Sequence, residues 1–111
     1  MSEFLYLYRG GQRDWTAAES EQIMQKWMAW FKDLTASGNL KDGGQPLEPE
    51  GRVVRDKAGT VTDGPFAEAK DVVGGYTLIE ADSLARAAEL AKGCPILERE
   101  GFVEVRPVMK M

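Results

Sequence analysis

The stretch Phe4-Leu5-Tyr6-Leu7-Tyr8 limits the fold more than any other part of this chain. Side chains alternate across a strand, so Phe4, Tyr6 and Tyr8 fall on one face and Leu5, Leu7 and Arg9 on the other. A strand that is apolar on both faces needs a cover on each side. The last strand-like segment, Phe102-Val103-Glu104-Val105-Arg106-Pro107-Val108, also carries apolar groups on both faces, and Pro107 marks its end or an edge.

Between these two segments lie two helices, an irregular strand, a hairpin and one further strand. Helix 1 opens on Thr16-Ala17-Ala18-Glu19, which fits a reciprocal capping box, and Gly38 supplies a left-handed stop. Ile23, Trp27, Trp30 and Leu34 form the centre of its apolar stripe, with Phe31, Met24 and Met28 extending it to one side. The arc covers roughly 160°, wider than the ~100° that packing on one sheet requires. The Met24 and Met28 edge therefore expects a further cover: a loop, a ligand or a second subunit. Residues 39–50 contain Gly43-Gly44, Pro46 and Pro49 and read as irregular or edge-strand material. Arg52-Val53-Val54-Arg55 and Thr60-Val61-Thr62, joined through Asp56-Lys57-Ala58-Gly59, predict a hairpin.

Residues 74–80 read as a buried strand with Tyr76 and Leu78 on one face and Thr77 and Ile79 on the other. Gly74-Gly75 at its head predicts a bulge or a close approach of backbone. Helix 2 begins at a cap of Asp82 or Ser83 and runs to Gly93, with a small apolar face of Leu84, Ala87, Ala88 and Ala91. Two strand-helix-strand units with an inserted β-hairpin predict an α+β, ferredoxin-like sandwich with both helices on one face of an antiparallel sheet. The other face then needs its own cover. A homodimer pairing two sheets face to face supplies it, giving a dimeric α+β barrel built from a single domain over residues 1–111.

Charge and composition narrow the chemistry. The net charge is −4 and the cations are scattered, which disfavours direct nucleic-acid binding. The N-terminus lacks the basic start and cleavage site of a signal peptide, and its apolar run is too short to span a bilayer, so a cytoplasmic protein without membrane association is expected. The chain has no histidine and a single cysteine, Cys94. A histidine-based triad is thus impossible, no metal site or cofactor is expected, and proton transfer falls to Asp, Glu, Lys, Tyr or Cys94. Cys94 has no basic sequence neighbour to lower its pKa and reads as a small buried filler.

The least generic residues are Asp63-Gly64-Pro65-Phe66-Ala67-Glu68-Ala69-Lys70. Pro65 suits the start of a helical turn through residues 66–70, which would place Asp63 just ahead of free amide groups that favour its anion. Such an aspartate anchors a loop well and serves poorly as a general acid. Glu68 and Lys70 offer a ligand an acceptor and a cation, or simply face solvent.

That stretch, followed by Val73-Gly74-Gly75-Tyr76-Thr77-Leu78-Ile79-Glu80, resembles the DGPF signature of the YCII-related domain family. Gly44-Gln45-Pro46-Leu47, Gly93-Cys94-Pro95 and Val103-Glu104-Val105-Arg106-Pro107 extend the resemblance over nearly the whole chain. The resemblance implies a dimeric ferredoxin-like α+β barrel. It also implies an enzymatic role through a His-Asp pair in a cleft, or, for DGPF-type members, an association with sigma factors of the extracytoplasmic-function group. The pair's histidine is missing: Trp27 or Met28 stands near its expected place, and only Asp63 carries over by motif.

Two functions follow as expectations. One is a small-molecule-binding protein or cofactor-free enzyme with a cleft between sheet and helix 1. Asp63 would be its catalytic or polar group, Trp27, Phe66 and Tyr76 its walls, Glu68 and Lys70 further contacts, and Arg9 or Arg106 an anion clamp. The other is a non-catalytic accessory or regulatory protein whose dimer, through the hairpin, contacts a sigma-factor-linked protein partner.

Overall fold

A computed structural model describes residues 1–11, 15–64 and 72–111 of the chain, with the backbone alone at 63 and 64. Strand β1 (Ser2–Gly10) leads into helix α1 (Ala17–Ala36), whose start is the expected capping box. The Thr16 hydroxyl accepts from the Glu19 amide at 3.1 Å and the Glu19 carboxylate accepts from the Thr16 amide at 3.2 Å. The helix stops at Gly38, whose φ of +78° is a conformation that glycine adopts without strain.

Strand β2 (Leu40–Asp42) is a short edge strand, and β3 (Gly51–Val54) with β4 (Val61–Gly64) forms the hairpin as a separate two-stranded sheet. Its turn is fixed by Asp56, whose carboxylate accepts from the Thr60 amide at 3.0 Å and the Thr60 hydroxyl at 2.9 Å. Strand β5 (Val73–Ala81), helix α2 (Leu84–Ala91) and strand β6 (Gly101–Pro107) complete the fold. Helix α2 is capped by Ser83 and ends two residues before Gly93, and a 3₁₀ turn at Pro95–Arg99, not foreseen in the sequence, links it to β6. The main sheet has the order β2-β5-β1-β6, all antiparallel. This is the ferredoxin-like α+β arrangement with the hairpin inserted between β2 and β5.

Register assigns each side chain to a face. Tyr6 lies opposite Thr77 on β5 and Val105 on β6, while Leu7 lies opposite Tyr76 and Glu104. The helices cover the first face. There Phe4, Tyr6, Tyr8, Ile79 and Ala81 pack against Trp30 and Leu34 of α1, Ala87 and Ala91 of α2, and Cys94. The small face of α2 brings its backbone close enough for the Tyr6 hydroxyl to donate to the Ala87 carbonyl at 2.5 Å. Leu84, expected on that face, is instead 48% exposed at the first turn of the helix. The Trp30 ring stacks on Tyr6 at 5.9 Å between centroids, and its indole N–H donates to the Leu90 carbonyl at 3.2 Å. Buried polar groups here are partnered, as burial demands.

The second face carries Leu5, Leu7, Tyr76, Leu78 and Phe102 between charged pairs. Lys41 bridges Glu3 and lies 4.0 Å from Glu80, and Glu104 holds Arg9 at 2.7 Å. Tyr76 and Phe102 remain 38% and 41% exposed. The molecule is only 18 Å thick along its shortest axis, which accommodates a sheet and one helical layer. No helix among the described residues is long and apolar enough to cross a membrane.

Candidate functional site

A cavity of about 570 Å3 opens between the covered face of the sheet, helix α1 and the segment 43–47. Helix α1 contributes Ile23, Met24, Trp27 and Phe31. This is the side of the helix on which the apolar arc exceeded the needs of sheet packing. Met24 is 59% exposed on the cavity's rim. Trp27 meets Tyr8 edge to face at 4.8 Å and Phe31 at 5.9 Å, so the aromatic wall is held by its own ring contacts.

The opposite wall is backbone. Gly44 adopts φ +72°, and a Cβ placed there would lie 1.8 Å from the Tyr76 carbonyl oxygen. At Gly75 a Cβ would approach the Gln45 oxygen to 3.1 Å and the Pro46 Cα to 3.3 Å. These two glycines let segment 43–47 lie directly on β5, where the Leu47 amide donates to the Gly74 carbonyl at 2.9 Å. The pairing of β1 with β5 also shifts between Tyr8 and Arg9, the bulge anticipated at Gly74-Gly75. At the far end Trp15, Pro95, Ile96 and Arg99 close the cavity. The Arg99 guanidinium sits 5.0 Å above the Trp15 ring and 3.7 Å from the Glu19 carboxylate.

Tyr8 and Thr77 line the inner surface. The Tyr8 hydroxyl donates to the Thr77 oxygen at 2.7 Å, and the Thr77 hydroxyl donates to the Gly43 carbonyl at 2.9 Å. Burial raises the Tyr8 pKa well above its ordinary value, despite the opposing effect of the Thr77 hydrogen bond. The phenol therefore stays neutral through the physiological range. Burial likewise pushes the Cys94 thiol up to about 12, so this side chain is a packed neutral group and a poor nucleophile. Among the described residues no three carboxylate or thiolate groups converge as a metal would require.

The structure distributes the expected site residues unevenly. Trp27 lines the cavity. Tyr76 reaches it from β5, next to Gly44, but its register opposite Leu7 puts the ring on the second face of the sheet. Arg9 and Arg106 are on that second face too, beside Glu104 at 2.7 and 3.9 Å, so neither is an anion clamp for this cavity. The physical reason is strand parity: a residue one position from a core residue faces the other way. Asp63 has its backbone in β4 opposite Arg52. Its side chain, together with Phe66, Glu68, Lys70 and the helical turn expected at residues 65–70, lies outside the described residues. Tyr8, Thr77, Trp15, Arg99 and segment 43–47 were not foreseen. The signal available for the last was the pair of glycine doublets, Gly43-Gly44 and Gly74-Gly75: Gly44 rests against Tyr76, and Gly75 against Gln45 and Pro46.

Comparison with known proteins places this architecture. The model of the YCII-related domain matches residues 4–111, and the chain belongs to that family. Among solved structures, it is similar to 5-chloro-2-hydroxyhydroquinone dehydrochlorinase from Burkholderia phenoliruptrix, in complex with 2,5-dihydroxybenzoquinone. The identity is 17%, the match covers 98% of this chain and 95% of that one, and the TM-score is 0.53. That likeness concerns the fold. No curated protein matches the sequence.

Proposed function

We propose that this protein binds a small, flat, largely apolar organic molecule in the cavity beneath α1. The observation that carries the reading is the cavity of about 570 Å3 walled by Tyr8, Trp27 and Phe31, with few polar groups. Apolar walls with a small number of placed polar atoms are the usual make-up of a ligand site. The dehydrochlorinase of similar fold was solved with a dihydroxybenzoquinone, a single flat ring, which is the shape these walls would accommodate. A calorimetric titration with 2,5-dihydroxybenzoquinone and with two-ring aromatics such as 2-naphthol tests the reading. At least one should bind, and Trp27→Ala should weaken that binding roughly tenfold through loss of the aromatic wall. Equal affinity in the variant would put the ligand elsewhere.

In the enzymatic form of this proposal, Asp63 acts as the carboxylate base in a proton abstraction or isomerisation. Asp63→Asn then abolishes turnover and leaves the fold intact; unchanged turnover removes Asp63 from the mechanism. A homodimer formed through the second sheet face belongs to the same proposal, supported by the exposed apolar residues there. An accessory role remains the second reading, supported by Val54 and Val61, which are 63% and 54% exposed on the hairpin. A partner of basic character linked to a sigma factor would be retained in a pull-down at micromolar concentration, and its loss on Val54→Asp would locate the contact.

A further inference from the structure

The hydrogen bonds on the inner surface of the cavity have only one consistent direction. The Gly43 carbonyl can only accept, so the Thr77 hydroxyl must spend its single proton on it. Thr77 then has no proton left for Tyr8, and the 2.7 Å bond between them must be donated by the phenol. Tyr8 in turn has no second proton. Its oxygen is left with lone pairs alone, in a residue that lines the cavity.

Gly43 is placed by features independent of any ligand. The Asp42 carboxylate accepts from the Gly44 amide at 2.9 Å, and the bare backbone of Gly44 rests against Tyr76. The start of the chain is therefore fixed by the main chain, and Thr77, fully buried, has no alternative rotamer partner among the bonds it makes. Burial keeps Tyr8 protonated, so the direction does not reverse near neutral pH.

We infer that the Tyr8–Thr77–Gly43 chain is a specificity device, which makes the cavity prefer ligands that present a hydrogen-bond donor, such as a phenolic hydroxyl or an N–H, to Tyr8. Ethers, ketones and carboxylates meet lone pair against lone pair at this position and are disfavoured, and a hydroxyquinone fits here only with a protonated hydroxyl, not a carbonyl, turned to Tyr8. The inference rests on the ligand-binding reading of the cavity and adds the chemical class of the molecule bound. It gives Tyr8 a positioning and selecting role and assigns it no bond-making step.

The test compares 2-naphthol with 2-methoxynaphthalene by calorimetry at pH 7. The two share a ring system, and only the first can donate. The wild-type protein should bind 2-naphthol about tenfold more tightly, the size of one hydrogen bond. Tyr8→Phe should bring that ratio close to one, mainly by weakening 2-naphthol. Thr77→Val provides a second arm: it removes the acceptor, frees the Tyr8 proton and should strengthen binding of the methyl ether, an effect that a purely structural role for Thr77 would not produce. Equal binding of both probes to the wild type, or a preference that survives both substitutions, would overturn the inference while leaving the cavity a ligand site. Binding of neither probe would overturn the inference, and failure of 2,5-dihydroxybenzoquinone to bind as well would overturn the ligand-site reading with it.

Discussion

The two faces of the central sheet are built from the same strands and differ by one step of the alternation. On one face Phe4, Tyr6, Tyr8 and Ile79 are buried beneath two helices. On the other, Leu5, Leu7 and Leu78 are half-buried and Tyr76 and Phe102 exposed, within a frame of ion pairs. Apolar content alone does not separate them. What separates them is that both helices pack on the first face, and the difference teaches that one face stabilises the subunit while the other keeps apolar surface exposed, the surface on which the proposed homodimer would form.

The strongest way to break this contrast is to hollow the covered face. Trp30→Ala removes the stack on Tyr6 and the bond to the Leu90 carbonyl, and should cost about 3–5 kcal/mol in denaturant unfolding. A loss under about 1 kcal/mol would mean that this face is not the core. The matched change on the other face is Leu7→Glu. It should change subunit stability by only about 1 kcal/mol, yet weaken self-association roughly a hundredfold in sedimentation equilibrium. An unaltered association constant would show that the second face is not where two copies meet.

Gly44→Ala probes the edge where the loop wall joins the sheet. The left-handed backbone costs about 1–2 kcal/mol for alanine, and the Cβ overlaps the Tyr76 carbonyl. We expect a loss of at least about 2 kcal/mol together with weaker ligand binding; a stable variant with native binding would contradict the packed geometry. Thr16→Ala at the start of α1 should cost about 1 kcal/mol, with circular dichroism showing loss confined to the helix end.

The smallest effect is a dependence on pH. The Thr16 amide, and then the Thr16 hydroxyl, hold the Glu19 carboxyl below its ordinary value of 4.5. A group with a depressed folded-state pKa contributes stability that is present above its unfolded value and lost as pH falls through the folded value. The stability difference between Thr16→Ala and the wild type should therefore be constant above about pH 5 and shrink on acidification below it. A difference that grows towards acid would reverse the assigned linkage.

Much of the fold was legible because its signals are local. Thr16 with Glu19 marked a helix start, Gly38 a stop, and Asp56 to Gly59 a turn, each through bonds made within a few residues. The candidate site was less legible. Trp27 was found because it lies on the apolar stripe of helix 1, the helix expected to wall a cleft against the sheet, near the place where the family resemblance puts a histidine. Tyr8 and Thr77 were hidden, since they are 69 residues apart and read separately as ordinary strand residues. Arg9 and Arg106 were misplaced for a similar reason: alternation sorts a strand into two sets without saying which set the helices will cover.

The sequence by itself determined the order of elements, the caps and turns, the double-sided apolar strand and the absence of any histidine chemistry, because these follow from residue type and short-range spacing. Only the tertiary structure decided which face of β1 became core, how Gly44 and Gly75 let segment 43–47 lie on β5, and that a phenol, a hydroxyl and a carbonyl form a one-way chain at the wall of a cavity. Those outcomes depend on contacts between distant segments, whose register is fixed by the whole sheet.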